Sequence, residues 1–309
     1  PGTALYEGIE WGQWESFPEY MDYIASRRYS LDIGAQVAHG ALRYYVMGER
    51  GKENLDATNE DLNEMSRLVT QALTAGAVGF STSRTIGHRA LDGSPVPGTF
   101  APDQELSAIA EAMRKAGRGV FEMIPAGTVG KLEGLGGERT TPEAELTLMA
   151  DFSRQSGRKV TFTLVQSPDY APDTWERLLE MVVTANQTGA QLFPQVPSRP
   201  IGLASGLSGY HAFQRRPTYM KLTHLSLAER AREMAKPEVK AAIMSEGDVP
   251  VDQPGSMANM YQLFQNAAGF MYPLADPVDY EPDPSNMLGS RAASTGATVL
   301  SLLYDYMLE

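Results

Sequence analysis

Apolar runs and amphipathic stretches alternate along this chain, and that alternation leaves few architectures open to it. Runs at Ser30–Val37, Ala77–Ser81, Gly119–Ile124, Lys159–Gln166 and Ala190–Val196 are each neighboured by a segment of helical periodicity. The units follow one another at roughly 40 residues, the scale of strand-plus-helix modules. A parallel strand is reached only by a long crossover, so the rhythm predicts a parallel sheet covered by helices. The runs are apolar nearly throughout, as strands buried in parallel sheets are. Polar side chains gather where they end: Gln36, Ser83, Glu122, Gln166 and Gln195. The C-terminal ends of the strands are where α/β sheets and barrels build their sites.

Helix signals fill the intervals. Phe17, Tyr20, Met21 and Ile24 predict a helix over Trp14–Arg28. Thr58, with acidic Glu60 and Asp61 behind it, predicts a capped helix over Asn59–Ala75 that Gly76 stops. Asp103 is the expected cap of a helix to Ala116, and Thr141-Pro142 opens another. Asp173 and Glu176 resemble a capping box before Leu178–Thr188. Beyond Pro197 the pattern changes to a small-residue loop, Gly202–Gly209, helices at Leu227–Met234 and Glu238–Ser245, and a Pro/Asp-rich connection over Gly269–Pro284. The expected division is therefore 1–200 for the βα units and 201–309 for a loop-rich helical insertion leading to a further barrel helix.

Five strands fit a doubly wound sheet or part of a barrel. No GxGxxG or GxxxxGK[ST] loop follows any strand, which removes the nucleotide-binding reason for an open sheet. The favoured fold is α/β, a (β/α)8 TIM-type barrel of which this chain supplies about five βα units. Thr298–Glu309 reads as an apolar-faced helix without a stop signal, and Pro1 opens without an initiating Met, so both ends look cut. The complementary remainder of the same barrel is then an expected partner, with homo-oligomerisation a second possibility.

A net charge of −12 argues against nucleic acid and anionic membranes as partners. The chain has no cysteine, which excludes disulfides and thiolate ligands within it. Nor does it contain a run of about 18 apolar residues to span a membrane or the form of a signal peptide. The cytoplasm is the expected location.

The segment Val37-Ala-His-Gly-Ala-Leu-Arg43 puts His39 and Arg43 on one face of a short helix after the first strand. His39 there is a general base, a carbonyl contact or a hydrogen-bonded shaper of the turn. The densest polar cluster is Ser81-Thr-Ser-Arg-Thr-Ile-Gly-His-Arg89. Ser83, Arg84, His88 and Arg89 are its candidate substrate contacts, since a guanidinium fork grips a carboxylate with two hydrogen bonds. The alternative is an arginine bridge that pins the long loop. Glu122 is an acid, base or metal ligand at a barrel mouth, or half of an ion pair. Gln166 and Gln195 can orient a substrate without exchanging protons. His211, among Tyr210, Arg215 and Arg216, is expected at the surface, and His224, ahead of the Ser226/Glu229 helix start, is expected to be structural. With no HxH, HExxH or carboxylate triplet at metal spacing, no metal ligand is assigned within the chain.

Several phrases resemble the N-acyl-D-amino-acid deacylases of the amidohydrolase superfamily: Pro1-Gly-Thr-Ala-Leu-Tyr-Glu-Gly, Trp14-Glu-Ser-Phe-Pro-Glu-Tyr, His39-Gly-Ala-Leu-Arg, Val46-Met-Gly-Glu-Arg, Gly76-Ala-Val-Gly-Phe-Ser-Thr-Ser-Arg84 and Val96-Pro-Gly-Thr99. The likeness is strong through Ala101 and weaker to Asp276–Asp283. It implies a metal-dependent barrel hydrolase of C–N bonds other than peptide bonds, acting on a small substrate with a carboxylate through a zinc-bound water. The resemblance puts the ligands of zinc, or of another divalent metal, outside this chain: an HxH pair and a cysteine upstream, a general-base aspartate downstream. Two further metal histidines would fall near Glu122 and Leu164, where this sequence reads Gly119-Val-Phe-Glu-Met123 and Val160-Thr-Phe-Thr-Leu-Val-Gln166. The resemblance therefore points to a subgroup with a changed metal site. A non-catalytic barrel that binds an acidic small molecule, or a cyclic-amide or ester hydrolase, are the alternatives.

Overall fold

A computed structural model describes residues 10–90, 93–132, 136–167, 169–198, 202, 204–251 and 259–309. The phrase Pro1–Gly8 lies outside them. The chain divides into two compact units, one of residues 1–89 and 95–197, the other of residues 90–94 and 198–309.

The first unit is built on five strands: β1 (Gln36–Ala38), β2 (Gly79–Ser83), β3 (Val120–Ile124), β4 (Val160–Thr163) and β5 (Leu192–Gln195). All neighbours are parallel, and the order β1-β2-β3-β4-β5 never reverses. The helices of this unit are α1 (Phe17–Ala25), α2 (His39–Met47), α3 (Glu49–Lys52), α4 (Asn59–Ala75), α5 (Asp103–Ala116), α6 (Pro142–Ser156) and α7 (Thr174–Gln187). Right-handed crossovers in an unreversed order put each connecting helix on the same side of the sheet. Helices α4 to α7 accordingly pack side by side in sequence. A doubly wound sheet needs a reversal of strand order to cover both faces, and this sheet has none.

The strand pattern follows from that one-sided cover. Val37, Phe80, Phe121, Met123, Val160, Phe162 and Leu192 face the helices and form the core with Met65, Leu73, Ile109, Met113 and Met149. The alternate residues Ser81, Glu122 and Thr161 are half-buried on the other face, in one register row with Ala38 and Phe193. β1 and β5 are the edges of the sheet.

The strands are shorter than their apolar runs. Of Ser30–Val37 only the last two residues enter β1, while Leu31 and Ile33 stay exposed. The cause is the partner: β2 begins at Gly79, just after Gly76 ends α4, and Gly79 stands opposite Gln36, so the ladder with β2 starts there. Thr58 accepts the Asp61 N–H in a complete capping box, and Gly76, at φ +118°, ends the helix in the left-handed region. The first helix is shorter than Trp14–Arg28, because a capping box of Ser16 and Glu19 starts it at Phe17. Asp103 is the first helical residue rather than the cap, which falls to Pro102. Asp173 makes no side-chain cap either: its backbone has turned to φ −90°, ψ 0°, which is not the extended geometry a cap needs.

The second unit is helical: α8 (Pro217–Leu222), α9 (Leu227–Met234), α10 (Pro237–Ser245), α11 (Met260–Ala267), α12 (Leu288–Thr295) and α13 (Val299–Tyr306). Its core gathers Phe213, Tyr219, Met234, Ile243, Phe264, Leu303 and Tyr304. The Tyr304 hydroxyl donates to the Met234 carbonyl at 2.9 Å. His211 is not at the surface: it is fully buried, 4.4 Å from the Tyr219 ring centroid. Phe213 and, from α8, Tyr219 pack against its ring, and the arginines that suggested a surface position turn elsewhere. Arg215 donates to the carbonyls of Val249 and Pro250, and Arg216 pairs with Asp248. Among the described residues no helix is long and apolar enough to cross a membrane.

Candidate functional site

Because the strands of the first unit are all parallel, the loops that follow them emerge at one end of the sheet. β1 passes straight into α2, whose first residue is His39, and helical spacing puts Arg43 one turn below it. Thr82 approaches from the helix-facing side of β2, and Glu105 from the first turn of α5. Their side chains close a buried network. His39 Nε2 lies 2.6 Å from Glu105 Oε1, and Nδ1 lies 2.8 Å from Thr82 Oγ1. Arg43 Nη1 donates to Glu105 Oε2, and Nη2 to the Leu55 carbonyl. Since a carboxylate only accepts, His39 Nε2 carries a proton. His39 and Arg43 are 2% and 1% exposed, so neither presents a polar atom to solvent. Gly98, at φ +94°, sits over the imidazole: a Cβ there would lie 2.7 Å from Nδ1. Asn54 holds that segment down, accepting the Gly98 N–H at 2.8 Å and donating to the Pro95 and Val96 carbonyls.

The second cluster lies at the ends of β2 and β3. Arg84 Nε donates to both oxygens of Glu145 at 2.9 Å, and Nη1 to the Ala101 carbonyl at 2.9 Å. Glu145 also receives the Ala126 N–H, while Glu138 accepts the Thr85 hydroxyl and the Ile86 N–H. Arg84 thus ties the loop after β2 to helix α6 and to its own far end. Ser83 Oγ and His88 Nδ1 stand 2.7 Å apart, with His88 exposed. Arg89 is half-buried and forms an antiparallel bridge with Pro95.

The two buried glutamates are tuned in opposite directions. Burial pushes the Glu105 carboxyl up, but the hydrogen bonds and charges of His39 and Arg43 outweigh it and hold the group below the usual carboxylate range. Burial pushes Glu145 up as well; Arg84 and the Ala126 N–H do not outweigh it, and the charge of Glu138 adds to the rise.

On the face of the sheet away from α4 to α7, Gln36 Nε2 donates to Glu122 Oε2 at 2.7 Å. Glu122 is therefore partnered by an amide there rather than by an arginine. Gln195 and Gln166 are exposed at the ends of β5 and β4. The site residues separate into a sealed group (His39, Arg43), a loop group (Ser83, Arg84, His88, Arg89) and a sheet-face group (Glu122 with Gln36, and Gln195 beyond it), with Gln166 apart beside a cavity.

No family model matches the chain, and no curated protein matches it in sequence. Among solved structures it is similar to an N-acyl-D-glutamate deacylase from Bordetella bronchiseptica, complexed with zinc and a phosphonate inhibitor. Identity there is 21% over 60% of this chain and 34% of that one, with a TM-score of 0.46. It is also similar to a D-aminoacylase described as defining a novel subset of amidohydrolases, at 17% identity, 100% of this chain, 63% of that one and a TM-score of 0.47. A D-aminoacylase studied for its binuclear metal centre shows 17% identity over 95% of this chain and 59% of that one, with a TM-score of 0.46. The chain spans 34% to 63% of the length of these structures.

The metal that the sequence resemblance implies does not fit the described residues, which contain no group of three His, Cys, Asp or Glu able to hold an ion. Glu105, Glu145 and Glu138, the anions that organise both clusters, escaped sequence reasoning. A signal was there. Glu105 shares the stripe of Ile109, Ala112 and Met113 on α5, and Glu145 that of Met149 and Phe152 on α6. A carboxylate on an otherwise apolar helix stripe must find a buried cation or hydrogen-bond donor.

Proposed function

We propose that this chain is part of a (β/α)8 barrel hydrolase acting on the amide bond of N-acyl amino acids or related amides, with the rest of the barrel supplied from outside residues 1–309. The observation that carries the reading is positional. The segments that bear the sequence resemblance, His39–Arg43 and Gly79–Arg84, stand where the parallel strands β1 and β2 end, side by side. That is the end at which barrel enzymes build their sites. The unreversed strand order and one-sided helix cover support a barrel wall.

In this reading the half-buried Ser83 and the exposed His88, with Arg89 on the same loop, meet the carboxylate of the substrate. Arg84 and Glu145 hold that loop in place, and His39, Arg43 and Glu105 fix the turn beneath it. Glu122, Gln166 and Gln195 are the further polar groups available to orient the substrate. The metal ligands fall outside this chain, so no step is assigned to a metal here.

The full-length protein, assayed for bound divalent metal and against N-acyl-D-amino acids, N-acyl-L-amino acids and cyclic amides, tests the reading. Chelator-sensitive hydrolysis of an N-acyl amino acid is expected. Turnover of cyclic amides or esters alone would move the chemistry elsewhere on the same scaffold. Saturable binding of an N-acyl amino acid without metal or turnover would make the protein a binder of acidic small molecules. His88→Ala should raise KM about tenfold with the melting temperature unchanged, since the ring is exposed and contributes little to folding. An unchanged KM for a carboxylate substrate would remove the loop from the site.

A further inference from the structure

We propose that a cavity between β4, α6 and α7 is a binding site for an uncharged aromatic small molecule. The cavity, of about 410 Å³, opens at the C-terminal end of β4. Its floor is core: Phe162, Leu146 and Met149 are 3%, 3% and 1% exposed. Tyr170 and Trp175 stand over it from the loop after β4 and the first turn of α7. Gln166 is at its rim, exposed to solvent.

The cavity floor is made of rings, a leucine and a thioether, so an apolar body gains free energy by leaving water for it, while Thr128, Thr163 and Ser167 supply hydrogen-bonding groups around it. Charge disfavours one class of occupant. In a chain that is 21% charged, none of the described residues lining the cavity carries a charge. A charged ligand would lose its hydration there with nothing to replace it. Three aromatic side chains and the Met149 sulfur favour a flat ring on the floor. Gly127 sets the position of Tyr170: a Cβ on it would lie 2.8 Å from the Tyr170 hydroxyl oxygen, so that hydroxyl stands close against the backbone beside the cavity. An aromatic body with one hydrogen-bonding group suits both parts, and the volume is that of an ordinary small-molecule pocket.

The inference stands apart from the hydrolase reading, because it is measured as binding without turnover. The chain has three tryptophans, so Trp11→Phe with Trp14→Phe leaves Trp175 as the sole reporter. Titration with N-phenyl-1-naphthylamine should quench Trp175 saturably with one molecule bound. The anionic counterpart 8-anilinonaphthalene-1-sulfonate should bind at least about tenfold more weakly. Leu146→Phe, which fills the floor, should raise the Kd for the neutral probe about tenfold or more with the melting temperature kept. Should that variant not fold, Tyr170→Ala, in the covering loop, should weaken the neutral probe by a similar factor. Absence of saturable quenching, equal affinity for the sulfonate, or an unchanged Kd in the folded variants overturns the proposal.

Discussion

Glu105→Ala should remove about 3–5 kcal/mol of stability, the cost of leaving a buried charge without its partner. Glu105 is fully buried, and it is the anion for Arg43, itself 1% exposed, as well as the acceptor for His39. Domains are stable by only about 5–15 kcal/mol, so the variant should lose much of its urea resistance. Two controls separate the mechanism from general damage. Glu111→Ala, on the exposed side of the same helix and paired with Arg114, should change stability by less than about 0.5 kcal/mol. Arg43→Met combined with Glu105→Leu should be more stable than Glu105→Ala alone, because the buried guanidinium is removed together with its counter-ion. Equal loss in Glu105→Ala and the double variant would contradict this account. The pH dependence has a fixed sign. A carboxyl whose native pKa is lowered contributes stability above its ordinary value of 4.5 and loses it as pH falls through the native value, so this network should hold at neutral pH and fail only in acid.

The second unit should weaken at a milder pH, through His211. Burial pulls its imidazole from an ordinary 6.5 down to about 4, and the charge of Arg230 acts in the same direction. Nδ1 accepts the Phe213 N–H at 3.1 Å, which holds the ring neutral in the native state. Between pH 6.5 and 4 the unfolded chain takes up a proton that the folded unit refuses, so stability falls as pH falls. A displacement of that size amounts to about 3 kcal/mol by pH 4. Amide exchange from α8 and α13 reads this unit by itself. His211→Asn keeps an acceptor for Phe213, and the stability gap between wild type and variant should shift by about 3 kcal/mol between pH 7 and pH 4. Parallel pH profiles for the two proteins would show that His211 is not the titrating group.

The sequence by itself determined the local decisions. Thr58 with Asp61, Thr141 before Pro142, and Ser226 with Glu229 start their helices as read, because a cap needs only its own backbone geometry and a residue a few positions on. The five βα units could be read for a similar reason, since a parallel strand cannot be reached without its crossover. His39 and Arg43 shared a helix face because helical spacing alone sets that. Partners distant in sequence were decided only by tertiary structure. Glu105 reaches His39 across 66 positions, and Arg84 meets Glu145 across 61. The length of β1 depended on where β2 begins, and the burial of His211 depended on Tyr219 and Phe213 closing around it. A cap or a crossover is specified within one turn or one loop of chain, whereas a buried charge settles wherever the packed helices bring its counter-ion, and that position exists only once the core has formed.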